Sequence, residues 1–258
     1  MRIAVISLKT AEDRRHSVSE QLNRLGLDFE FFDALDASTP IPSHFVEFDA
    51  RAYSLNSQRN PLPGEIGCYA SHLSLWKRCA TSGEPMLILE DDFEALPGFV
   101  EAIPVIELLL AEHDFIRLEP FDRPRAVGKK LRRVGHELGS IGQFTLHYLS
   151  DVPPQLTAYA ISPSGATRLL KSSARLVAPV DKFVQRTWDH GVPILALSPA
   201  IVQTGPHSSN SMIGDRRSRK SRDIRLLLAR AIYKGVGEIQ RMRFDRSQLR
   251  RLTGLVTR

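Results

Sequence analysis

The chain has 258 residues, enough for one large domain with or without an appendage, and its 42% hydrophobic and 25% charged content is that of a globular protein. The apolar run at the start, Met1 to Leu8, is too short for a secretory signal. No stretch approaches the ~18–20 apolar residues of a membrane span, so a cytoplasmic chain is expected. The net charge of +6 divides unevenly: Gly214 to Arg258 holds 14 Lys/Arg against 4 Asp/Glu, and the remainder 21 against 25. A slightly acidic body, residues 1–213, therefore carries a strongly basic tail, residues 214–258, and the tail predicts an anionic surface as partner.

In chain order, Arg2 to Leu8 reads as a strand. Thr10 with Asp13 three residues on resembles a capping box, and Val18, Leu22 and Leu25 keep helical spacing up to a stop at Gly26. Phe29 to Leu35 reads as a second strand, which makes a βαβ opening. No Gly-x-Gly-x-x-Gly follows the first strand, which argues against a dinucleotide fold of the usual kind. Ser38 to Pro63, rich in Pro, Ser and Asn, reads as a loop able to cover a site. Pro63-Gly64 opens a helix over Glu65 to Ala80, with Ile66, Tyr69, Ala70, Leu73 and Trp76 as its apolar stripe. Ser71 and His72 lie beside that stripe, and His72 reads either as a satisfied, partly buried histidine or as a site group. Cys68 and Cys79, the only cysteines, fall on this helix about 16 Å apart, beyond disulfide reach. Two buried thiols in a reducing compartment are expected.

Met86 to Asp92 reads Met-Leu-Ile-Leu-Glu-Asp-Asp. A continuous apolar run fits a strand buried on both faces, and its carboxylates then fall at the C-terminal end, where open α/β sheets place ligands. Three adjacent acids repel one another. Either they form a solvated acidic turn, or a hard divalent cation that also grips a phosphate sits there. Pro97-Gly98 precedes a helix to Glu112, with Pro104 bending it or lying near its start. Asp114 to Leu118 reads as a strand and the basic stretch Arg123 to Gly142 as a loop. Gln143 to Leu149 and Gln155 to Ser162 read as strands, and Pro163 to Ser173 as a helix. Asp181 heads a short helix through Trp188, where an Asp commonly caps. Ile194 to Leu197 and Ala200 to Gln203 are short apolar runs, followed by a polar loop with His207. Asp223 to Tyr233 is amphipathic, with Ile224, Leu228 and Ile232 on one face.

Several of these segments together resemble glycosyltransferase family 25. They are Val5-Ile6-Ser7-Leu8 with Asp13-Arg14-Arg15, then Phe32-Asp33-Ala34-Leu35-Asp36. The most specific is Gly64-Glu65-Ile66-Gly67-Cys68-Tyr69-Ala70-Ser71-His72 followed by Leu87-Ile88-Leu89-Glu90-Asp91-Asp92. Thr157 to Ser162 with Gly165-Ala166 also fits. The resemblance covers roughly residues 1–205 and leaves the basic tail outside; Ser7 stands where Asn is frequent in the family. It implies a GT-A-like α/β fold, a Rossmann-type mixed sheet flanked by helices. It also implies a nucleotide-sugar donor, usually UDP-linked, and an inverting transfer helped by a divalent cation, Mn²⁺ before Mg²⁺. The family contains lipopolysaccharide and lipooligosaccharide glycosyltransferases, often galactosyltransferases, and collagen galactosyltransferases.

With that resemblance, Glu90-Asp91-Asp92 matches an Asp-x-Asp-type motif. Asp92 is then the expected main metal ligand, with Glu90 or Asp91 touching ribose or reaching the metal through water. His207 is either a further ligand or an ordinary loop histidine. Ser7, Leu8, Arg14, Asp33, Ala34, Glu65, Ser71 and His72 are the expected donor-site residues. A displacement at the anomeric carbon also needs a base on the face opposite the diphosphate; Asp181 is the candidate and Asp151 the reserve. The acceptor of such an enzyme is a glycan or an anionic glycolipid. A polybasic, partly amphipathic tail would hold the chain at the inner membrane face. Two other readings stand beside this one. A metal-dependent nucleotidyl- or phosphotransferase also needs acids at a strand end. A non-catalytic protein binding anionic surfaces would use the tail alone; with only Tyr233 and Phe244 available for stacking, nucleic acid is not the expected partner.

Overall fold

The computed structural model describes residues 1–36, 47–57, 59–121, 126–127, 130–131, 135–205 and 224–256. In chain order the elements are β1 (Arg2–Ser7), α1 (Glu12–Arg24), β2 (Glu30–Asp33), β3 (Glu47–Phe48), α2 (Ala50–Ser57), α3 (Pro63–Ser82), β4 (Met86–Glu90), β5 (Phe93–Ala95), α4 (Phe99–Leu110) and β6 (Phe115–Arg117). Then come β7 (Ala126–Val127), β8 (Lys130–Leu131), β9 (Gly135–Ile141), β10 (Phe144–Leu149), β11 (Ala158–Ile161), α5 (Pro163–Ser172), β12 (Arg175–Leu176), α6 (Val180–Gln185), α7 (Thr187–His190), β13 (Leu195–Ser198), β14 (Val202–Thr204) and α8 (Ile224–Val256). Eight strands form one sheet in the order β2-β1-β4-β11-β6-β13-β10-β9. β1 runs parallel to β2 and β4, while β11 runs antiparallel to β4 and β6. This is the mixed α/β sheet flanked by helices that the sequence predicts.

The apolar strands are buried on both faces because helices cover both. On β4, Met86 and Ile88 join the cluster beneath α3 and α5, built with Trp76, Leu75 and Leu169. Leu87 and Leu89 point the other way, into the cluster beneath α1 and α4 with Leu22, Phe99 and Ile106. Each such side chain contributes about 1.5–3 kcal/mol by leaving water. β1 alternates in the same way, Ala4 and Ile6 to one side, Ile3 and Val5 to the other.

Gly165 lies where α5 crosses the start of β6. A Cβ there would meet Asp114 O at 2.4 Å, and the same backbone N–H donates to the Ser162 hydroxyl that caps α5, at 3.0 Å. Gly165→Ala is therefore expected to cost about 1–3 kcal/mol through overpacking, read as a lower urea midpoint at unchanged slope.

Some elements differ from expectation for identifiable reasons. α1 begins after Ala11 with no side-chain cap, so Thr10 makes no capping box; Glu12 and Asp13 instead place charge at the helix N-terminus. The expected Ser38–Pro63 loop contains regular structure: Ala50–Ser57 is helical and buries Tyr53, while residues 37–46 and 58 lie outside the described residues. Within the expected loop Arg123–Gly142, Gly135–Ile141 is an edge strand paired with β10, its pattern masked by two glycines. The expected helix Asp181–Trp188 is interrupted at Arg186 (φ −87, ψ 59) into α6 and α7. Cys79 is buried and Cys68 only half-buried, and neither is in a disulfide.

The largest difference is α8, 33 residues long where an amphipathic segment ending at Tyr233 is expected. Gly235 and Gly237 interrupt the helical pattern in sequence, but Gly237 is a contact point: a Cβ there would lie 3.4 Å from Trp188 Cζ2. The guanidinium of Arg186 sits between the rings of Trp188 and Tyr233, 5.0 and 4.8 Å from their centroids. Further on, Tyr148 Oη donates to Asp245 Oδ1 at 2.7 Å and Arg241 Nη1 to Ser150 O at 2.8 Å, and Leu252 enters the α4-side core. The helix is thus packed on the body along most of its length. No helix among the described residues is long and apolar enough to cross a membrane.

Candidate active site

Three parallel strands deliver their C-terminal ends to one edge of the sheet. β1 ends at Ser7, β2 at Asp33 and β4 at Glu90, in register as Ser7↔Asp33 and Ile6↔Glu90. The backbone holds this edge closed: Asp91 N donates to Ile6 O at 3.1 Å, Ala34 N to Ser7 O at 2.9 Å, and Glu90 N to Thr157 O at 2.8 Å.

Asp91 is clasped from two sides. Ser7 Oγ donates to its Oδ2 at 2.6 Å, and Arg14 Nη1 pairs with its Oδ1 at 2.8 Å. Ser7 therefore makes a defined contact in this chain despite the frequent Asn at its position. Burial still raises the Asp91 carboxyl above its ordinary range, against the lowering pull of Ser7 and Arg14. Asp33 is more exposed and pairs with Arg15 at 2.6 Å and Lys9 at 3.2 Å, and the Arg15 hydrogen bond holds its carboxyl below the ordinary value. Arg15 also donates to the carbonyls of Ser7 and Leu8, so it braces the β1 end as a unit.

Asp92 differs from both. Its Oδ1 is buried with no hydrogen-bond partner among the described residues. Burial, followed by repulsion from Glu90 and Asp91, pushes its carboxyl up to about 7. Its own carbonyl accepts from Gly205 N at 2.7 Å, and a Cβ on Gly205 would lie 3.1 Å from that oxygen. An orphaned carboxylate oxygen beside two other acids could hold a hard cation.

The folded protein keeps the Asp92 proton to higher pH than the unfolded chain does. The associated stability is fully present below about pH 4 and is lost as pH rises through about 7. Metal-free wild type is therefore expected to lose thermal stability between pH 5 and 8 relative to Asp92→Asn, measured in EDTA. Added Mn²⁺ should raise the midpoint more at pH 8 than at pH 5, because at low pH the cation competes with a proton.

α3 forms the wall behind the triplet. Ser71 Oγ donates to Gly67 O at 2.7 Å and accepts from Leu35 N at 2.9 Å, tying the helix to the chain beyond β2. His72 is fully buried, with Nδ1 2.9 Å from Tyr159 Oη and Nε2 3.3 Å from Glu90 Oε1. Trp76 Nε1 donates to the same Tyr159 oxygen at 2.8 Å. Because a carboxylate only accepts, Nε2–H faces Glu90 and Nδ1 accepts from the Tyr159 hydroxyl, whose oxygen in turn accepts from Trp76. His72 is thus both a satisfied buried histidine and a neighbour of the acidic triplet. Cys68, one helical turn earlier, donates to the same Glu90 oxygen at 3.8 Å.

Other expected residues lie apart. Glu65 is buried at the start of α3 and its oxygens are taken by Tyr53 Oη (2.8 Å), Arg59 Nη1 (2.6 Å) and Leu62 N (3.0 Å), which lower its carboxyl against burial. Asp181 sits in the first turn of α6 with Pro179 at the cap position, and its Oδ1 accepts from Lys182 N at 2.8 Å. No hydrogen bond or ion pair among the described residues joins Asp181 to the triplet. Asp151 lies in the β10–β11 connection. His207 lies outside the described residues. Cys68, Tyr159 and Arg15 are not among the site residues expected from the sequence, although all three lie in the motif segments. The first had a visible signal, its i, i+4 spacing to His72; the second did not, because it comes from an antiparallel strand 87 residues away.

A family model described as glycosyltransferase family 25 (LPS biosynthesis protein) matches residues 1–184. The chain is 27% identical to the lacto-N-neotetraose biosynthesis glycosyltransferase LgtE of Neisseria gonorrhoeae, over 95% of this chain and 93% of that protein. It is 28% identical to a glycosyltransferase 25 family member of Aedes aegypti, over 70% of this chain, and 26% identical to procollagen galactosyltransferase 1-B of Xenopus laevis, over 72% of it. Those matches span 30% and 31% of the two animal proteins.

Proposed function

The chain belongs to glycosyltransferase family 25, and we propose that it moves a hexose, galactose in our reading, from a UDP-sugar to a lipooligosaccharide, lipopolysaccharide or other glycan acceptor with inversion at the anomeric carbon. The observation that carries this reading is the buried, unpartnered Asp92 oxygen beside the clasped Asp91 at the ends of parallel strands. The names of the similar proteins, one from lacto-N-neotetraose biosynthesis and one a galactosyltransferase, support the sugar and acceptor.

In this reading Asp92 holds a divalent cation, Mn²⁺ before Mg²⁺, with Glu90 and Asp91 beside it and His207 as the further ligand. When bound, such a cation neutralises the charge that a leaving diphosphate gains. Arg14 adds positive charge next to Asp91, and the Ser7–Leu8, Asp33–Ala34 and Ser71–His72 backbone and side chains shape the nucleotide end. Glu65 acts from a distance, by fixing the N-terminus of α3. Asp181 takes the proton of the attacking hydroxyl from the first turn of α6, a helix that packs on α3. The test is nucleotide release from a panel of UDP-, GDP- and CMP-sugars with and without Mn²⁺. Mn²⁺-dependent UDP release supports the reading; binding of a triphosphate with no sugar nucleotide bound would replace it with a nucleotidyl- or phosphotransferase.

The same proposal places the chain at the inner face of the cell membrane. On α8, Leu228, Ile232, Val236 and Ile239 follow one another at helical spacing and are 49–68% exposed. The ridge continues as the exposed residues Arg243, Arg246 and Arg250, on the side opposite the anchoring Arg241 and Asp245. An apolar ridge continued by cations suits an anionic bilayer surface, at about 1 kcal/mol per cation. Because α8 is part of the packed body, surface substitutions test this better than truncation. The triple change of Arg243, Arg246 and Arg250 to Glu is expected to abolish co-sedimentation with phosphatidylglycerol vesicles at low salt while leaving thermal unfolding unchanged.

A further inference from the structure

We propose that Cys68, His72 and Glu90 form a second cation site, one that takes a thiophilic divalent metal such as Zn²⁺ and is chemically distinct from the carboxylates at Asp91 and Asp92. The thiol sulfur, an imidazole nitrogen and a carboxylate oxygen all lie within 4.8 Å of one another. The thiol is 3.8 Å and His72 Nε2 3.3 Å from one and the same atom, Glu90 Oε1. Two protons converging on one carboxylate oxygen is the arrangement that a metal replaces. Cys68 and His72 come from successive turns of α3, and Glu90 is held from the strand side by its backbone bond to Thr157 O at 2.8 Å. The ligand carriers are therefore fixed before any ion arrives. Cys68 and Glu90 are each partly exposed and His72 is not, so an ion reaches the site at its thiol and carboxylate.

Ligand chemistry sets the selectivity. Thiol and imidazole favour Zn²⁺ and Co²⁺, whereas the all-oxygen neighbours favour Mn²⁺ and Mg²⁺. The balance is simple: the cation displaces one proton from the Cys68 sulfur into solvent. His72 stays neutral, its proton moving from Nε2 to Nδ1. There it donates to the Tyr159 oxygen, whose own hydroxyl hydrogen rotates off Nδ1, and this is the outer contact a metal-bound histidine ordinarily makes. The thiolate and the Glu90 carboxylate together cancel the charge of the ion. Three protein ligands leave one position open. An ion there withdraws Glu90 from the donor site, so Zn²⁺ is an inhibitor of the transferase; that consequence, unlike the binding itself, rests on the function proposed above.

The test titrates the full chain, stripped of metal, with Co²⁺. One equivalent is expected to give a near-ultraviolet thiolate-to-cobalt charge-transfer band in wild type, Asp92→Asn and Cys79→Ser, and none in Cys68→Ser. Zn²⁺ should displace the Co²⁺ and protect Cys68 from alkylation in the wild-type protein, which keeps the question answerable if Cys68→Ser does not fold. Zn²⁺ affinity should fall in Cys68→Ser by more than the roughly 10- to 100-fold that losing an outer contact of a ligand costs. Absence of the band in wild type, its survival in Cys68→Ser, or unprotected alkylation overturns the proposal. In the activity arm, Zn²⁺ should suppress Mn²⁺-supported UDP release in wild type but not in Cys68→Ser. A band with no sugar-nucleotide turnover under any metal would sink the transferase reading and leave the metal site standing.

Discussion

Asp92→Asn is expected to lower sugar-nucleotide turnover by a factor of about 100 to 1,000, the scale on which a single preorganised electrostatic group acts on developing charge. The same variant should be more stable than wild type in the absence of metal near pH 8. Ionising Asp92 there opposes burial and the repulsion of Glu90 and Asp91, and the amide removes that opposition. Loss of activity combined with gain of stability is the signature of a group held against its own preference for a purpose. An Asn variant that is inactive and also less stable would instead make Asp92 a structural residue. Glu90→Gln is the internal comparison. Its oxygen still accepts from Cys68 and His72, so it should lose less activity than Asp92→Asn.

Arg117→Ala is expected to destabilise the protein by about 3–5 kcal/mol, the cost of stranding a buried charge. Arg117 and Glu119 have side chains only 2% and 6% exposed, with Nη2 3.0 Å from Glu119 Oε2. Arg117 also donates to Pro153 O at 2.6 Å and Gln155 O at 2.9 Å, and Glu119 Oε1 accepts from Ala158 N at 3.1 Å. The pair thus fastens the chain between β10 and β11, which carries Thr157 and so the backbone bond to Glu90. The double change Arg117→Met with Glu119→Gln removes both charges and keeps an acceptor for Ala158 N, so it should cost clearly less than Arg117→Ala. Equal losses in urea unfolding would show that packing, and not the stranded carboxylate, sets the cost.

Much of this arrangement is legible locally. Met86 to Asp92 reads as a doubly buried strand with acids at its end, because apolar continuity reports coverage on both faces. The α3 stripe and its Pro63 start are equally local, and the motif residues from Gly64 to His72 lie where the pattern puts them. The β9 strand and most of α8 are not legible, since glycines lower their intrinsic propensity and tertiary contacts override it. Gly237 is the clearest case: a helix breaker by propensity, it is the point at which α8 meets Trp188. The Arg117–Glu119 pair gives no sign either, because an Arg two residues from a Glu reads as surface in any sequence.

Local pattern and composition alone determined the α/β class, the acidic strand end, the helix carrying Cys68, Ser71 and His72, and the charge asymmetry between body and tail. Each depends on residues within a turn or a strand of one another. Only the folded chain decided which acid is held and which is left without a partner. Ser7 reaches Asp91 across 84 residues, Arg14 reaches it from α1, and no described side chain reaches the buried oxygen of Asp92. Sequence neighbours share a charge and a strand, but their pKa values and partners are set by which elements packing brings to either side of them.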